Sequence, residues 1–182
     1  MKKAIGLLEY RSIARGIKAA DTVVKSAQVE LLQAAPVCPG KFLVLFSGDV
    51  GSIQSALATG VAAGEEVLID RFMLANVHEG VFPALAGTAA VQATGALGVI
   101  ETFSAAAAIV AADLAAKAAQ VELVEIRLAR GMGGKSFLTM SGDVGSVQVA
   151  VESVVKILEP DGMLVDQAVI PAPHPELWQQ LV

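Results

Sequence analysis

The chain has 182 residues, with 13 basic and 18 acidic side chains giving a net charge of −5, and 54% hydrophobic positions of which few are aromatic. That balance excludes a nucleic-acid binder, which needs a dense basic face, and the single Cys excludes an intrachain disulfide framework. The apolar fraction is too high for disorder, and the length suits one large or two small domains.

In chain order, Met1 to Lys3 precedes the apolar run Ala4 to Leu8, which meets Glu9 too soon for a secretory signal, so a cytoplasmic location is expected. Ala4 to Glu9 reads as a short strand. Ile13, Ile17, Ala20, Val24 and Ala27 then recur at spacings of three and four, the pattern of an amphipathic helix. Phe42 to Phe46 is a continuous apolar run of strand length. Asp49 stands where an N-cap belongs, and Ile53, Ala56, Leu57 and Val61 mark a second helix. Glu66 to Leu74 gives a last strand, and His78 opens a short terminal helix. Gly80 to Ile100 carries no charge, but its Gly, Ala, Thr, Pro and Gln leave it short of the sustained apolar content that roughly 20 membrane-spanning residues need, so no membrane span is expected.

The second half repeats the first. Ala4-Ile5-Gly6-Leu7-Leu8-Glu9 matches Ala96-Leu97-Gly98-Val99-Ile100-Glu101, and Ser47-Gly48-Asp49-Val50-Gly51-Ser52 recurs unchanged from Ser141 to Ser146. Leu68-Ile69-Asp70 with His78 recurs as Leu164-Val165-Asp166 with His174. Val124 to Leu128 alternates as a half-buried strand, Met163 to Ile170 gives the last strand, and Pro175 opens the second terminal helix. The period of about 90 residues is far above the 20 to 50 of solenoids, so each unit is a domain with its own core. The expected fold is α/β, of the α+β, ferredoxin-like kind, with order β-α-β-β-α-β-α in each unit. The expected domains are 1–87 and 95–182, joined by a linker at 88–94.

Gly133-Gly134-Lys135-Ser136 looks like the tail of a phosphate-binding loop. It lacks the earlier Gly, where Ala129 stands, and Phe137 to Met140 after it reads as strand where a helix is required. The two His occupy equivalent positions beside the terminal helices, which favours packing or interface roles over catalysis. Asp21 and Lys25 recur as Asp113 and Lys117, at an i, i+4 spacing that permits helix-surface ion pairs. Cys38 breaks the symmetry. It sits between Pro36-Val37 and Pro39-Gly40, whereas the matching loop, Ala129 to Lys135, is two residues longer and rich in Gly. A free Cys is most often a small buried hydrophobe, but this one lies in a stretch that reads as an exposed turn.

Ala4 to Glu9, Asp21 to Lys25, Gly40 to Phe42, Gly48 to Gly51 and Val169-Ile170-Pro171-Ala172-Pro173-His174 together resemble the tandem-domain shell proteins of bacterial microcompartments. The likeness spans both repeats. It implies a homotrimer forming a pseudohexameric tile, with other shell proteins as neighbours and no enzymatic activity. It further implies that Val37, Cys38, Pro39, Arg130, Gly131, Met132 and Gly133 line a central pore, and that Lys25, Lys117, His78 and His174 lie at tile edges. Ala172 departs from the Arg usual there. The resemblance also implies that three Cys38 thiols can hold a [4Fe-4S] cluster, leaving one iron without a protein thiolate. Electron transfer across the shell to a redox enzyme or electron carrier is the expected task. The alternatives are a pore for a small polar metabolite, favoured by the charge of Arg130, and an α/β enzyme with a deep polar pocket.

Overall fold

The computed structural model describes residues 3–90 and 95–181, so residues 91–94 of the expected linker lie outside the described residues. The chain divides into two compact units, Met1–Val77 and His78–Val182.

In the first unit, β1 (Ala4–Tyr10), β2 (Glu30–Val37), β3 (Lys41–Gly48) and β4 (Leu68–Leu74) form an antiparallel sheet in the order β2-β3-β1-β4. Two helices, α1 (Ile13–Ser26) and α2 (Val50–Gly64), complete the unit. Both begin where a side-chain oxygen takes an otherwise unpaired amide of the first turn: Ser12 accepts from Arg15 and Asp49 from Ser52. Leu8 and Tyr10 of β1 and Phe42, Val44 and Phe46 of β3 form one buried cluster with Ala19, Ala20 and Val23 of α1 and Ile53 and Ala56 of α2. Gly6 is required by close approach, because a Cβ there would stand 2.5 Å from the Phe46 ring.

The second unit repeats the plan. Strands β5 (Ala96–Thr102), β6 (Glu122–Arg127), β7 (Ser136–Gly142) and β8 (Leu164–Ile170) are ordered β6-β7-β5-β8, with α4 (Ala105–Ala118) and α5 (Val144–Leu158). Ser104 and Asp143 cap these helices as Ser12 and Asp49 cap theirs. Helix α3 (Val81–Ala86) packs against β6 and α4, and Trp178 of α6 (Pro175–Leu181) packs on Leu97 and Val124.

The β-α-β-β-α-β-α order stands in both sequence repeats, with four local differences. The sequence boundary at residue 87 follows α3, but the chain divides ten residues earlier, between Val77 and His78, because α3 packs in the second unit. Residues 65–67 form a 3₁₀ turn, so β4 starts at Leu68 rather than Glu66. Of the expected α1 stripe only Ala20 is buried; the helix turns its small residues Gly16, Ala19 and Ala20 inward, where Phe42 lies against Gly16, and leaves Ile13, Ile17 and Val24 exposed. Strand β6 is likewise more than half-buried, since Leu123, Val124 and Ile126 are all inside.

Candidate functional site

The same hairpin, between the second and third strands of each unit, carries two different loops. In the first unit Val37 pairs with Lys41, so Cys38, Pro39 and Gly40 form a three-residue tip. Gly40 closes it at φ 76°, the left-handed conformation that such tips need at one position. The Cys38–Pro39 bond is cis, and the Cys38 thiol is free and partly exposed.

In the second unit the hairpin ends at Arg127 opposite Phe137, and residues 128–135 form the loop. Arg127 lies 5.4 Å over the Phe137 ring and pairs with Glu125 at 2.6 Å. Gly131, Gly133 and Gly134 all take positive φ, as does Ala129 at 47°. The loop is tied inside by two bonds: Ala129 N–H donates to Ser136 Oγ at 3.1 Å, and Lys135 N–H to Met132 O at 3.1 Å. Arg130, Gly131 and Gly133 are exposed and Met132 is half-buried. Of the loop residues singled out from sequence, Val37 differs. It is the last residue of β2 and buried, which leaves Cys38, Pro39 and Gly40 as the available surface of its loop.

Each loop is anchored to the central strand of its sheet by an ion pair. Lys41 Nζ lies 2.5 Å from Glu9 Oε2, with only 6% of the Glu9 side chain exposed. Lys135 pairs with Glu101 in the same way, in a wetter setting. Lys135 is thus engaged, and the segment after it is β7 rather than a helix, so the phosphate-loop resemblance has no structural counterpart.

The structure separates the remaining candidates by environment. Lys25 holds Asp21 at 2.7 Å with both side chains exposed. Lys117 holds Asp113 at 2.6 Å, but the Asp113 side chain is only 6% exposed, and its other oxygen accepts the His78 backbone N–H at 2.8 Å. The two imidazoles serve their own chain turns: His78 Nδ1 accepts from Gly80 N–H at 3.2 Å, and His174 Nδ1 from Glu176 N–H at 3.3 Å. Sequence reasoning missed the Glu9–Lys41 anchor. Its signal was available, because Glu9 and Lys41 both recur, as Glu101 and Lys135. Among the described residues no group of three or more His, Cys, Asp or Glu side chains could hold a metal, so no such group includes Cys38 within one chain.

Two copies of one α+β domain, each presenting an anchored hairpin loop at the same place, define a tandem-domain protein whose repeats have diverged at the loop. Residues 4–77 and 96–173 each match the BMC domain, and the chain belongs to that family. It is 45% identical over its whole length to the bacterial microcompartment shell protein PduT of Citrobacter freundii, 99% of which is covered. The carboxysome shell protein CsoS1C of Hydrogenovibrio crunogenus is 35% identical over 86 residues, 46% of this chain but 84% of that one, as expected of a single-domain relative. A solved microcompartment protein of Desulfitobacterium hafniense DCB superposes with a TM-score of 0.96 at 51% identity, covering 98% of this chain and 99% of that one. No helix among the described residues is long and apolar enough to cross a membrane.

Proposed function

We propose that this chain is a structural tile of a microcompartment shell, assembling as a homotrimer beside other shell proteins, with the hairpin loops of both units around a central opening. The partly exposed thiol at the tip of the first loop carries the more specific part of this reading. A lone sulfur cannot complete a metal site in one chain, but a threefold axis brings three copies together, and thiolate is the ligand that iron–sulfur clusters take. The Cys38 thiols of three subunits therefore hold a [4Fe-4S] cluster. When bound, the cluster supplies one-electron transfer, which would connect the two sides of the shell through a redox enzyme or electron carrier.

The chain's own residues set the geometry. Glu9 and Lys41 fix the base of the Cys38 loop against β1, so the thiol sits on a rigid strand end rather than a loose segment. The role is structural rather than catalytic, consistent with both His side chains being used to hold turns. Lys25 and Lys117, both with exposed side chains, serve the contacts between neighbouring tiles.

Anaerobic purification and reconstitution of the wild-type chain, with iron and sulfide analysis and electron paramagnetic resonance, tests the cluster. The expected result is one cluster per trimer, lost in Cys38→Ser while the trimer persists by light scattering. Equal iron in Cys38→Ser refutes the assignment. A trimer that stays colourless and iron-free favours the second reading, a conduit for a small polar solute beside the exposed Arg130.

A further inference from the structure

Four matching ladder positions carry different chemistry in the two sheets. In the first unit Gln33 stands opposite Leu45 and Ala35 opposite Leu43, with Ala35, Leu43 and Leu45 all buried. In the second unit, after the same break in register, Glu125 stands opposite Thr139 and Arg127 opposite Phe137. Residues paired across a ladder share a face, as do alternate residues along a strand, so these four side chains lie on one side of the sheet. Three of them, Glu125, Arg127 and Phe137, line a cavity of about 330 Å³ whose other walls include Gly87 at the end of α3 and Gln180 and Leu181 of α6.

The polar groups of this cavity are only half used. Arg127 donates to a single oxygen of Glu125, through Nε at 3.0 Å and through Nη2 at 2.6 Å. The other Glu125 oxygen, Oε2, and the other Arg127 amino group, Nη1, have no partner among the described residues. The guanidinium also lies over the Phe137 ring, so two contacts hold it in place. Beside this pair, the Thr139 hydroxyl is buried and makes no hydrogen bond within the chain. A buried hydroxyl without a partner carries a cost that Leu45, at the same position of the first unit, does not.

We propose that this cavity of the second unit binds a small carboxamide, primary or cyclic. The ion pair is neutral as a whole, and what it leaves open is one acceptor and one donor in the same wall. An anion would meet the Glu125 carboxylate and a cation the Arg127 guanidinium, whereas a carboxamide carries the neutral complement in one plane. Its N–H donates to Glu125 Oε2, and its carbonyl oxygen accepts from Arg127 Nη1. Val124 and Leu181 supply apolar wall for the rest of the molecule. The site uses neither Cys38 nor the central opening, so it goes beyond the shell reading and does not depend on the cluster. Because Arg127 ends β6, the ligand sits at the foot of the loop formed by residues 128–135.

The test uses the full chain with labelled Val and Leu methyl groups, titrated with nicotinamide and separately with nicotinate, which has the same ring but an anionic oxygen in place of the amide nitrogen. Saturable shifts of the Val124 and Leu181 methyl signals with nicotinamide are expected, and binding of nicotinate about tenfold weaker or worse. Glu125→Gln removes the charge and adds an amide that can donate to a carboxylate, so this variant is expected to reverse the preference. Glu125→Gln with Arg127→Ala installs the residues that the first unit has there, Gln33 and Ala35. This double variant is expected to bind neither compound while its circular dichroism is unchanged. Neither methyl signal moving with nicotinamide overturns the site. Equal binding of the two compounds by the wild type, or an unaltered preference in Glu125→Gln, overturns the assignment of the ligand.

Discussion

Asp113 accepts the backbone N–H of His78 through one carboxylate oxygen, at 2.8 Å, and the Lys117 ammonium through the other, at 2.6 Å. The carboxylate is nearly buried, so each bond replaces water that cannot return if the partner is lost. It therefore pins the start of the α3 segment to α4. Replacing Asp113 by Ala leaves the His78 amide without its acceptor and is expected to destabilise the fold by about 2 kcal/mol, read as a lower urea midpoint. An unchanged midpoint would mean that α3 is held by its apolar contacts alone.

The loop anchors give a paired comparison. Lys41→Ala strands the Glu9 carboxylate at 6% exposure, a situation that in a partly wet site costs about 2 kcal/mol. Lys135→Ala removes the same pair from a site where the side chains are 42% and 33% exposed, and the expected loss is below about 1 kcal/mol. Thermal unfolding of the two variants checks the order. Equal losses would show that burial is not what separates the two anchors.

Tyr10 is fully buried, its hydroxyl donating to the Gly60 carbonyl at 2.8 Å, and burial pushes its pKa from 10.0 to about 12. Because the folded value is raised, the contribution to stability is complete below pH 10 and is lost as pH rises through about 12. Ultraviolet titration of the phenolate is expected to show a midpoint near the raised value. Tyr10→Phe is expected to remove this alkaline loss and to cost about 1 kcal/mol at neutral pH. A phenol titrating at the ordinary value would mean that solvent reaches Tyr10 in the native state.

Much of this architecture is written in local rules. The repeat places every strand and helix twice, and Ser12, Asp49, Ser104 and Asp143 mark four helix starts through their caps. What sequence periodicity could not give was the direction in which α1 faces. Ile13, Ile17 and Val24 make the stronger stripe by side-chain size, yet Gly16, Ala19 and Ala20 face the sheet, because the approach of Phe42 leaves no room for larger groups. Periodicity reports that a helix has an apolar side; it does not say whether the partner is its own sheet or another surface. The division of the chain was hidden for a related reason. His78 to Ala86 follows β4 in sequence, but its burial comes from β6 and α4, a long-range pairing that no local signal encodes. At the loops, the odd residue Cys38 was visible as a break in the repeat, whereas Glu9–Lys41 needed two distant positions to be read together.

The cap carboxylates of Asp49 and Asp143 contribute to stability in a way that acid removes. Asp49 accepts Ser52 N–H at 3.0 Å and Ser52 Oγ–H at 2.6 Å, and Asp143 does the same with Ser146 at 2.9 and 2.5 Å. The serine hydroxyls, then the serine amides, hold both carboxyls below the ordinary value of 3.8. A depressed folded value means that these groups stabilise the protein above the unfolded value and cease to do so as pH falls through the folded one. Asn keeps the capping acceptor without the charge, so the double variant Asp49→Asn, Asp143→Asn is expected to unfold near its wild-type midpoint at neutral pH. It should lose less stability than the wild type as the pH is lowered below 3.8. Urea midpoints across that range decide the matter, and parallel acid losses in the two proteins would assign the acid sensitivity to other carboxylates. Carbon-detected titration of Asp49 in Ser52→Ala gives the complementary sign: with the hydroxyl donor gone, the carboxyl should titrate closer to its ordinary value, and Asp143, whose serine is untouched, should not move.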